Sequence, residues 1–434
     1  MKVYDLVGVG FGPANLALAT CLHERNASGN TPTNAVFLEK NPTFSWHREM
    51  LLDGATLQVS FIKDLATLRD PTSPFSFLNY LRQQGRLVDF ANLRTFFPTR
   101  LEFNDYFCWA AAQVREMVRY GAFVTKIEPV LYRGVIDCVE LHVQERQRAY
   151  SIRARNVVAA IGRVPRVPDC ARLGPRVFHS SAFLQSIEPF MRMRGARVLV
   201  VGGGQSGAEI VNFLYENCPG SRVVALCPSF GYKPADESYF VNRLFDPDSV
   251  SSFYDSPDTL KEYLLEQHRD TNYGATDLEL IDALARKFYH DKCTGGGRLE
   301  LINLARLTGL SSTEHDVTAG FTTRESSETQ YRPFDAVVLA TGYMNAGIDS
   351  LLPREFRAHM EQLASGELRL DRSYAVKTRS SCRARIYLQG YSDDQHGLTN
   401  SLLSVMAIRS QEILEDIERH SSGTADSREL AAND

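Results

Sequence analysis

Two glycine clusters are the residues best placed to do chemistry in this chain: Gly8-Val9-Gly10-Phe11-Gly12-Pro13 and Gly202-Gly203-Gly204-Gln205-Ser206-Gly207. Glycines let a backbone approach a pyrophosphate closely. A helix starting directly after them adds unpaired N–H groups and the positive end of its dipole. The second cluster is a complete G-x-G-x-x-G, whereas the first has Pro13 at the usual third glycine, a residue suited to a helix start. Glu39 closes the run AVFLE, with Lys40 beside it, and is placed to accept hydrogen bonds from a ribose hydroxyl. After the second cluster the run RVVALC ends in Cys227-Pro228, with no carboxylate to grip a free 2′-hydroxyl, and basic Lys233 follows. Two such sites in one chain point to a bound flavin, FAD, and a mobile nicotinamide nucleotide, NADPH rather than NADH. Lys63, in the apolar context VSFIKDLATL, is costly to bury without an anion. Its alternative is a surface pair with Asp64, worth little energy.

These residues need strands and helices to hold them. Residues 3–7 (VYDLV) read as a buried parallel strand that feeds the first glycines, and PANLALATCLHER has helical spacing. Residues 197–201 (RVLVV) and AEIVNFLYEN repeat the arrangement around the second cluster. Two further strand-like runs ending in glycine, 156–162 and 335–342, are expected to return the chain to the first domain. The fold class is α/β, with two Rossmann-like dinucleotide-binding domains and a small, mainly helical substrate-binding region. The expected division is an FAD domain over 1–165 and 335–420, and an NADPH domain over 166–235 and 308–334. The helical region would cover 236–307, leaving a polar, frayed tail at 421–434.

Composition removes other classes. The 434 residues carry 48 Lys plus Arg against 52 Asp plus Glu, a net charge of −4, which argues against a nucleic-acid binder. No stretch reaches the ~18–20 apolar residues of a membrane span. MKVYDLVGVG runs straight into a strand pattern without a signal-peptide pattern, so a cytoplasmic location is expected. The 8 cysteines form no C-x-x-C pair. That supports neither a zinc knuckle nor a dithiol redox centre, and no metal is expected.

The chain resembles the N-hydroxylating flavin monooxygenases of siderophore biosynthesis, the ornithine N5-monooxygenases and their lysine relatives. The resemblance runs from Asp5 to about Ile417. It is carried by GVGFGPANLALA (8–19), FSWHREMLL (44–52), LQVSFIKDLATLRDP (57–71), FPTRLEFNDY (97–106), VVGGGQSGAE (200–209), VNRLFDP (241–247), TNYG (271–274), LATGY (339–343) and HGLTNSLLS (396–404). It implies that NADPH reduces FAD, that reduced flavin captures O2 as a C4a-hydroperoxide, and that one oxygen passes to a substrate amine.

The same resemblance assigns residues. Trp46 and His47 would lie beside the isoalloxazine, with Gln58 hydrogen-bonding nearby and Leu403 completing the FAD site. Lys63 would pair with the amino acid's α-carboxylate, Asn242 would hold its α-amino and carboxylate end, and Asn272 would bind the NADP ribose near the reacting amine. Gln205, Ser206 and Tyr273 would join the NADPH site. HGLTNSLLSVMAIRSQEILEDIER reads as a loop entering an amphipathic helix. Within it Ser401 or Ser404 would touch substrate, and Thr399 offers another hydroxyl. Two departures stand out: Cys-Pro-Ser replaces an arginine common after the second nucleotide strand, and Arg243 replaces an acidic or polar residue.

The expected activity is N5-hydroxylation of L-ornithine for a hydroxamate siderophore or related product, in a homo-oligomer, with a homotetramer as one arrangement. Lysine or a diamine such as putrescine or cadaverine is the alternative within the same chemistry, although diamines give Lys63 no carboxylate. A plain FAD-dependent NADPH reductase and a non-catalytic redox sensor leave Lys63 and Asn242 unexplained.

Overall fold

The computed structural model describes residues 2–29, 32–236, 238–268, 271 and 274–432, without the side chains of Ser401 and 422–432. The first glycine cluster sits between β1 (Val3–Val9) and α1 (Pro13–Ala27), and β2 (Ala35–Glu39) pairs parallel to β1. On the other side of β1 runs Arg148–Ala159, a strand that changes partners along its length. Its first half pairs antiparallel with Val135–Glu145, while its second half pairs parallel with β1 and with Arg385–Leu388. Val118–Tyr120 and Ala122–Tyr132 complete this 7-stranded sheet at its two edges. An all-apolar interior needs no alternation, and β1 is accordingly buried over its last four residues, Leu6 to Val9.

The second unit repeats the plan. β3 (Arg197–Val201), α2 (Gln205–Asn217) and β4 (Arg222–Leu226) surround the second glycine cluster. The 5-stranded sheet runs Leu299–Ile302, β4, β3, Ala336–Leu339, Val177–His179, and all its pairings are parallel. A 3-stranded antiparallel sheet, 305–334, covers one face through Phe321 and Phe334.

Two of the expected boundaries move. The run at 335–342 does not re-enter the first sheet: Ala336–Leu339 lies between β3 and Val177–His179. The return begins only at Tyr343–Asn345, which pairs antiparallel with Arg163–Pro165 as the two strands crossing between units. The helix Leu278–Cys293 also belongs to the second unit. It buries Leu284 with β3 and β4 residues, and the strand after it extends the second sheet. The small helical region is therefore confined to the segments around Tyr239–Asn242, Pro247–Tyr254 and Asp258–Gln267.

The C-terminal helix completes the first core. α3 (Met406–Ala432) packs on α1, burying Met406, Ile413, Leu414 and Ile417 beside Leu18 and Leu22. An aromatic cluster from Phe77, Tyr80, Phe103, Tyr106 and Phe107 fills the rest of that core, with ring centroids 4.8–5.8 Å apart. Among the described residues no helix is long and apolar enough to cross a membrane.

Candidate active site

Gly10 takes φ +80°, and a Cβ on it would lie 2.5 Å from the Ala160 carbonyl oxygen. A Cβ on Gly8 would strike the Phe37 ring at 2.1 Å. At Gly12, the residue capping α1, a Cβ would meet nothing within 4 Å. The turn is thus tight against protein on one side and open at the helix start, which fits an approaching pyrophosphate. Pro13 opens the helix, as expected.

Glu39 differs from its expected role. It is buried, and its carboxylate serves the protein first: Oε2 accepts from the Phe11 N–H at 2.7 Å and Oε1 from Asn41 N–H at 2.8 Å. It clamps the glycine turn to the end of β2. Each oxygen keeps further acceptor capacity for a ribose hydroxyl. Lys40 beside it is exposed. Sequence reasoning missed Asn15, which donates to the Gly10 carbonyl at 2.7 Å and ties the turn from inside.

Trp46 is half-buried against Phe103 and Phe107, with centroids at 6.1 and 5.3 Å, and its backbone N–H donates to Asn104 Oδ1 at 2.9 Å. His47 follows in a left-handed conformation, φ 50°. The residue is exposed at its surface, and desolvation by the surrounding protein, with the Arg100 charge, brings its imidazole down to about 4. Leu403 is half-buried against the α1 core.

At the second turn Gly202 takes φ +143°, and a Cβ there would lie 2.2 Å from the Ala340 carbonyl oxygen. Gly204 caps α2 and approaches the Gly274 Cα. Ser206 lies half-buried in the first turn of α2. Cys227 is buried at the end of β4, its thiol pushed up to about 11 by burial, so no charge stands where an acid would reject a 2′-phosphate. Lys233 is exposed in a short strand whose partner is Ala275–Thr276.

Gln205 is engaged by protein rather than left facing a phosphate. Its Nε2 donates to Glu209 Oε1 at 2.9 Å and to Asp277 Oδ2 at 2.8 Å, and its Oε1 accepts from the Asp277 N–H at 2.9 Å. Gln58 is exposed and donates to the other Asp277 oxygen at 3.2 Å, so it reaches across to the second unit. Arg100 adds a buried clasp, donating to both oxygens of Glu209 and to the Met50 carbonyl. This network holds the first nucleotide unit, the start of α2 and the segment around 274–277 in one frame. Neither Asp277 nor Glu209 was singled out from sequence. The only signal for Arg100 was its place in the FPTRLEFNDY block.

The surface Lys63–Asp64 pair does not form. Asp64 is 1% exposed and accepts from the Ala66, Thr67 and Phe77 N–H groups and the Thr67 hydroxyl, at 2.6–2.9 Å. Lys63 is half-buried without a carboxylate within 4 Å among the described residues. Burial lowers its ammonium pKa, and the Asp246 charge partly restores it. Asp246 follows the helix Tyr239–Asn242, so the structure brings the Lys63 loop and the Asn242 segment to one side of the cleft. Asn242 itself is exposed. Ser404 is buried, and so is Thr399, whose hydroxyl has no partner among the described residues. Asn272, Tyr273 and the Ser401 side chain lie outside the described residues.

The family model for L-lysine 6-monooxygenase/L-ornithine 5-monooxygenase matches residues 2–345. The chain is 37% identical to an L-ornithine N(5)-monooxygenase of Pseudomonas aeruginosa, over 98% of this chain and 96% of that protein. It is 39% identical to an L-ornithine N(5)-monooxygenase of Burkholderia cepacia, over 91% and 90%. The solved ornithine N-hydroxylase of Kutzneria sp. 744, with reduced FAD, NADP+ and L-ornithine, superimposes with a TM-score of 0.92 at 41% identity, covering 97% of this chain and all of that one. The chain belongs to the L-lysine 6-monooxygenase/L-ornithine 5-monooxygenase family.

Proposed function

We propose that this protein N-hydroxylates the side-chain amine of L-ornithine, using NADPH, FAD and O2, to give N5-hydroxyornithine for a hydroxamate siderophore or related product. The observation that carries the substrate choice is Lys63: a half-buried ammonium with no carboxylate within 4 Å among the described residues, its neighbouring acid turned away into four hydrogen bonds. An α-carboxylate supplies the missing anion, which putrescine or cadaverine would not. The relatives named above act on ornithine, which favours the shorter amino acid over lysine.

FAD, when bound, supplies the redox and O2-activating chemistry. The chain's own residues do the rest. The Gly8–Gly12 turn, tied from inside by Asn15, would hold the pyrophosphate end, and Glu39 is left with acceptors for the ribose. Trp46 and neutral His47 line the flavin side, where an uncharged imidazole adds no proton at pH 7. Half-buried Phe61, packed against Phe77 and Phe90, puts apolar surface beside Lys63 and so limits water there. There the amine must be neutral to attack oxygen, and desolvation favours that form. Asn242 and Ser404 stand near the amino-acid end, with Ser401 and Thr399 as further hydroxyls. Asn272, Tyr273, Ser206 and Lys233 would serve the nicotinamide nucleotide.

The same reading makes the enzyme a cytoplasmic homo-oligomer. Exposed apolar side chains at Val88, Leu93, Phe96, Phe97 and Leu101 support a subunit contact on that stretch. Sedimentation of the purified protein tests the subunit number, with four as one arrangement. The activity is tested by quantifying hydroxylamine product from ornithine, lysine, putrescine and cadaverine with FAD and NADPH. Product from ornithine alone is expected. Product from a diamine alone would overturn the role of Lys63, and NADPH oxidation without hydroxylamine would overturn the reaction.

A further inference from the structure

Arg409 is a buried cation that no carboxylate among the described residues approaches within 4 Å. It lies in the first turn of α3 and is 3% exposed. Its Nε donates to Gln389 Oε1 at 2.9 Å and its Nη1 to the Asn400 carbonyl at 2.5 Å, both neutral acceptors, and its guanidinium lies 5.7 Å from the Tyr374 ring centre. Burial lowers its pKa, the opposite of what an arginine in an ion pair shows.

The nearest acids are already taken. Glu412 pairs with Arg372 at 2.9 Å, and Asp393 pairs with Arg163 at 2.8 Å. One step further out, Asp371 and Asp416 both pair with Arg385. The helix dipole adds to the imbalance, since the first turn of a helix is its positive end and disfavours a cation. A buried charge without a counter-charge in contact is costly, and a bound anion nearby would offset that cost.

The neutral partners lead from the guanidinium to the first glycine turn. Gln389 Nε2 donates to Asn15 Oδ1 at 3.0 Å, and Asn15 donates to the Gly10 carbonyl at 2.7 Å. Three consecutive hydrogen bonds thus connect the guanidinium to the first glycine turn, and none of the relay residues is charged. We infer that Arg409 is the buried counter-charge of the dinucleotide pyrophosphate at the Gly8–Gly12 turn, acting through space across the Gln389–Asn15 relay rather than by contact. The inference rests on the reading of that turn as the FAD site.

The test is FAD affinity of apoprotein, read by flavin fluorescence quenching, for wild type and Arg409→Lys, Arg409→Gln and Arg409→Met. Apoprotein melting is measured alongside. A unit charge acting through space at an effective dielectric constant of about 20 is expected to change the dissociation constant by about tenfold. Arg409→Gln and Arg409→Met are expected to weaken FAD by about that factor or more, and Arg409→Lys to stay within about threefold of wild type. Arg409→Met guards against misfolding, because an apolar isostere in place of a buried cation is tolerated best. ADP, which carries a pyrophosphate and no isoalloxazine, should lose the same factor as FAD. Equal affinity in all four proteins overturns the inference, as does an equal loss in the Lys and Gln variants, which would make geometry the cause. An unchanged ADP affinity would also overturn it. Failure of wild type to bind FAD would instead overturn the reading of the glycine turn.

Discussion

Arg100 and Glu209 form a two-pronged ion pair, at 2.6 and 2.8 Å, between the helix that carries the FPTRLEFNDY block and the helix that begins the second nucleotide site. Side-chain exposures of 11% and 5% make it a buried pair, so its energetics differ from those of a surface contact. Removing one partner strands a charge, which costs about 3–5 kcal/mol, whereas replacing both with apolar residues costs far less. Glu209→Ala and Arg100→Met are each expected to lower stability by that amount in denaturant unfolding. The double replacement Arg100→Met with Glu209→Leu should recover a large share of the loss. Additive losses in the double variant would mean the two side chains act independently.

Lys63→Ala should raise the ornithine KM about 100-fold, since a charge-assisted bond to a carboxylate is worth about 1.5–3 kcal/mol. Reduction of the enzyme by NADPH without ornithine should survive, because Lys63 touches neither glycine turn. Steady-state kinetics and anaerobic stopped-flow absorbance separate the two. An unchanged KM would make Lys63 a structural residue and remove the main argument for an amino-acid substrate.

Gly10→Ala should abolish retention of FAD. The added methyl group would lie 2.5 Å from the Ala160 carbonyl oxygen in a backbone conformation, φ +80°, that alanine rarely adopts. Gly12→Ala meets no atom within 4 Å in the protein itself, so any loss of FAD there reports the ligand's own approach. The pair is checked by the absorbance ratio of purified protein at flavin and protein wavelengths. Full flavin content in Gly10→Ala would show that the turn is not the pyrophosphate site.

The two glycine turns were legible because their demands are local: a positive φ and a helix start a few residues on. The catalytic blocks were legible through resemblance, and the structure adds what resemblance does not carry. Asp64 reads as the partner of Lys63 when only adjacency is visible, yet its carboxylate turns to the Phe77 N–H, which tertiary folding brings to it. Residues 335–342 read as a buried strand in either sheet, since apolar runs carry no address, and only the pairing of Val337 with Leu199 and Val177 decides. Helix 278–293 likewise shows its periodicity but not which body it covers. The Asn15–Gln389–Arg409 relay joins residues nearly a whole chain apart, and no local pattern announces it.

Acid sensitivity should trace to His396. Its ring is fully buried, stacked on Tyr374 at 4.2 Å, with one nitrogen against the Asp371 carbonyl and the other without a protein partner. Burial, with the Arg372 charge, brings its pKa down to about 3 from an ordinary value of 6.5. Between those values the unfolded chain binds a proton that the folded chain refuses. Stability then falls as pH drops below about 6.5, with a contribution of about 1.4 kcal/mol per pH unit from this one group. His396→Gln should be less stable at pH 7 through lost packing, yet its stability should fall less steeply between pH 6 and pH 4, by about that slope. Urea unfolding of both proteins at several pH values measures the difference. Identical slopes would show that His396 takes up a proton in the folded state, and would place the acid sensitivity in the carboxylates instead.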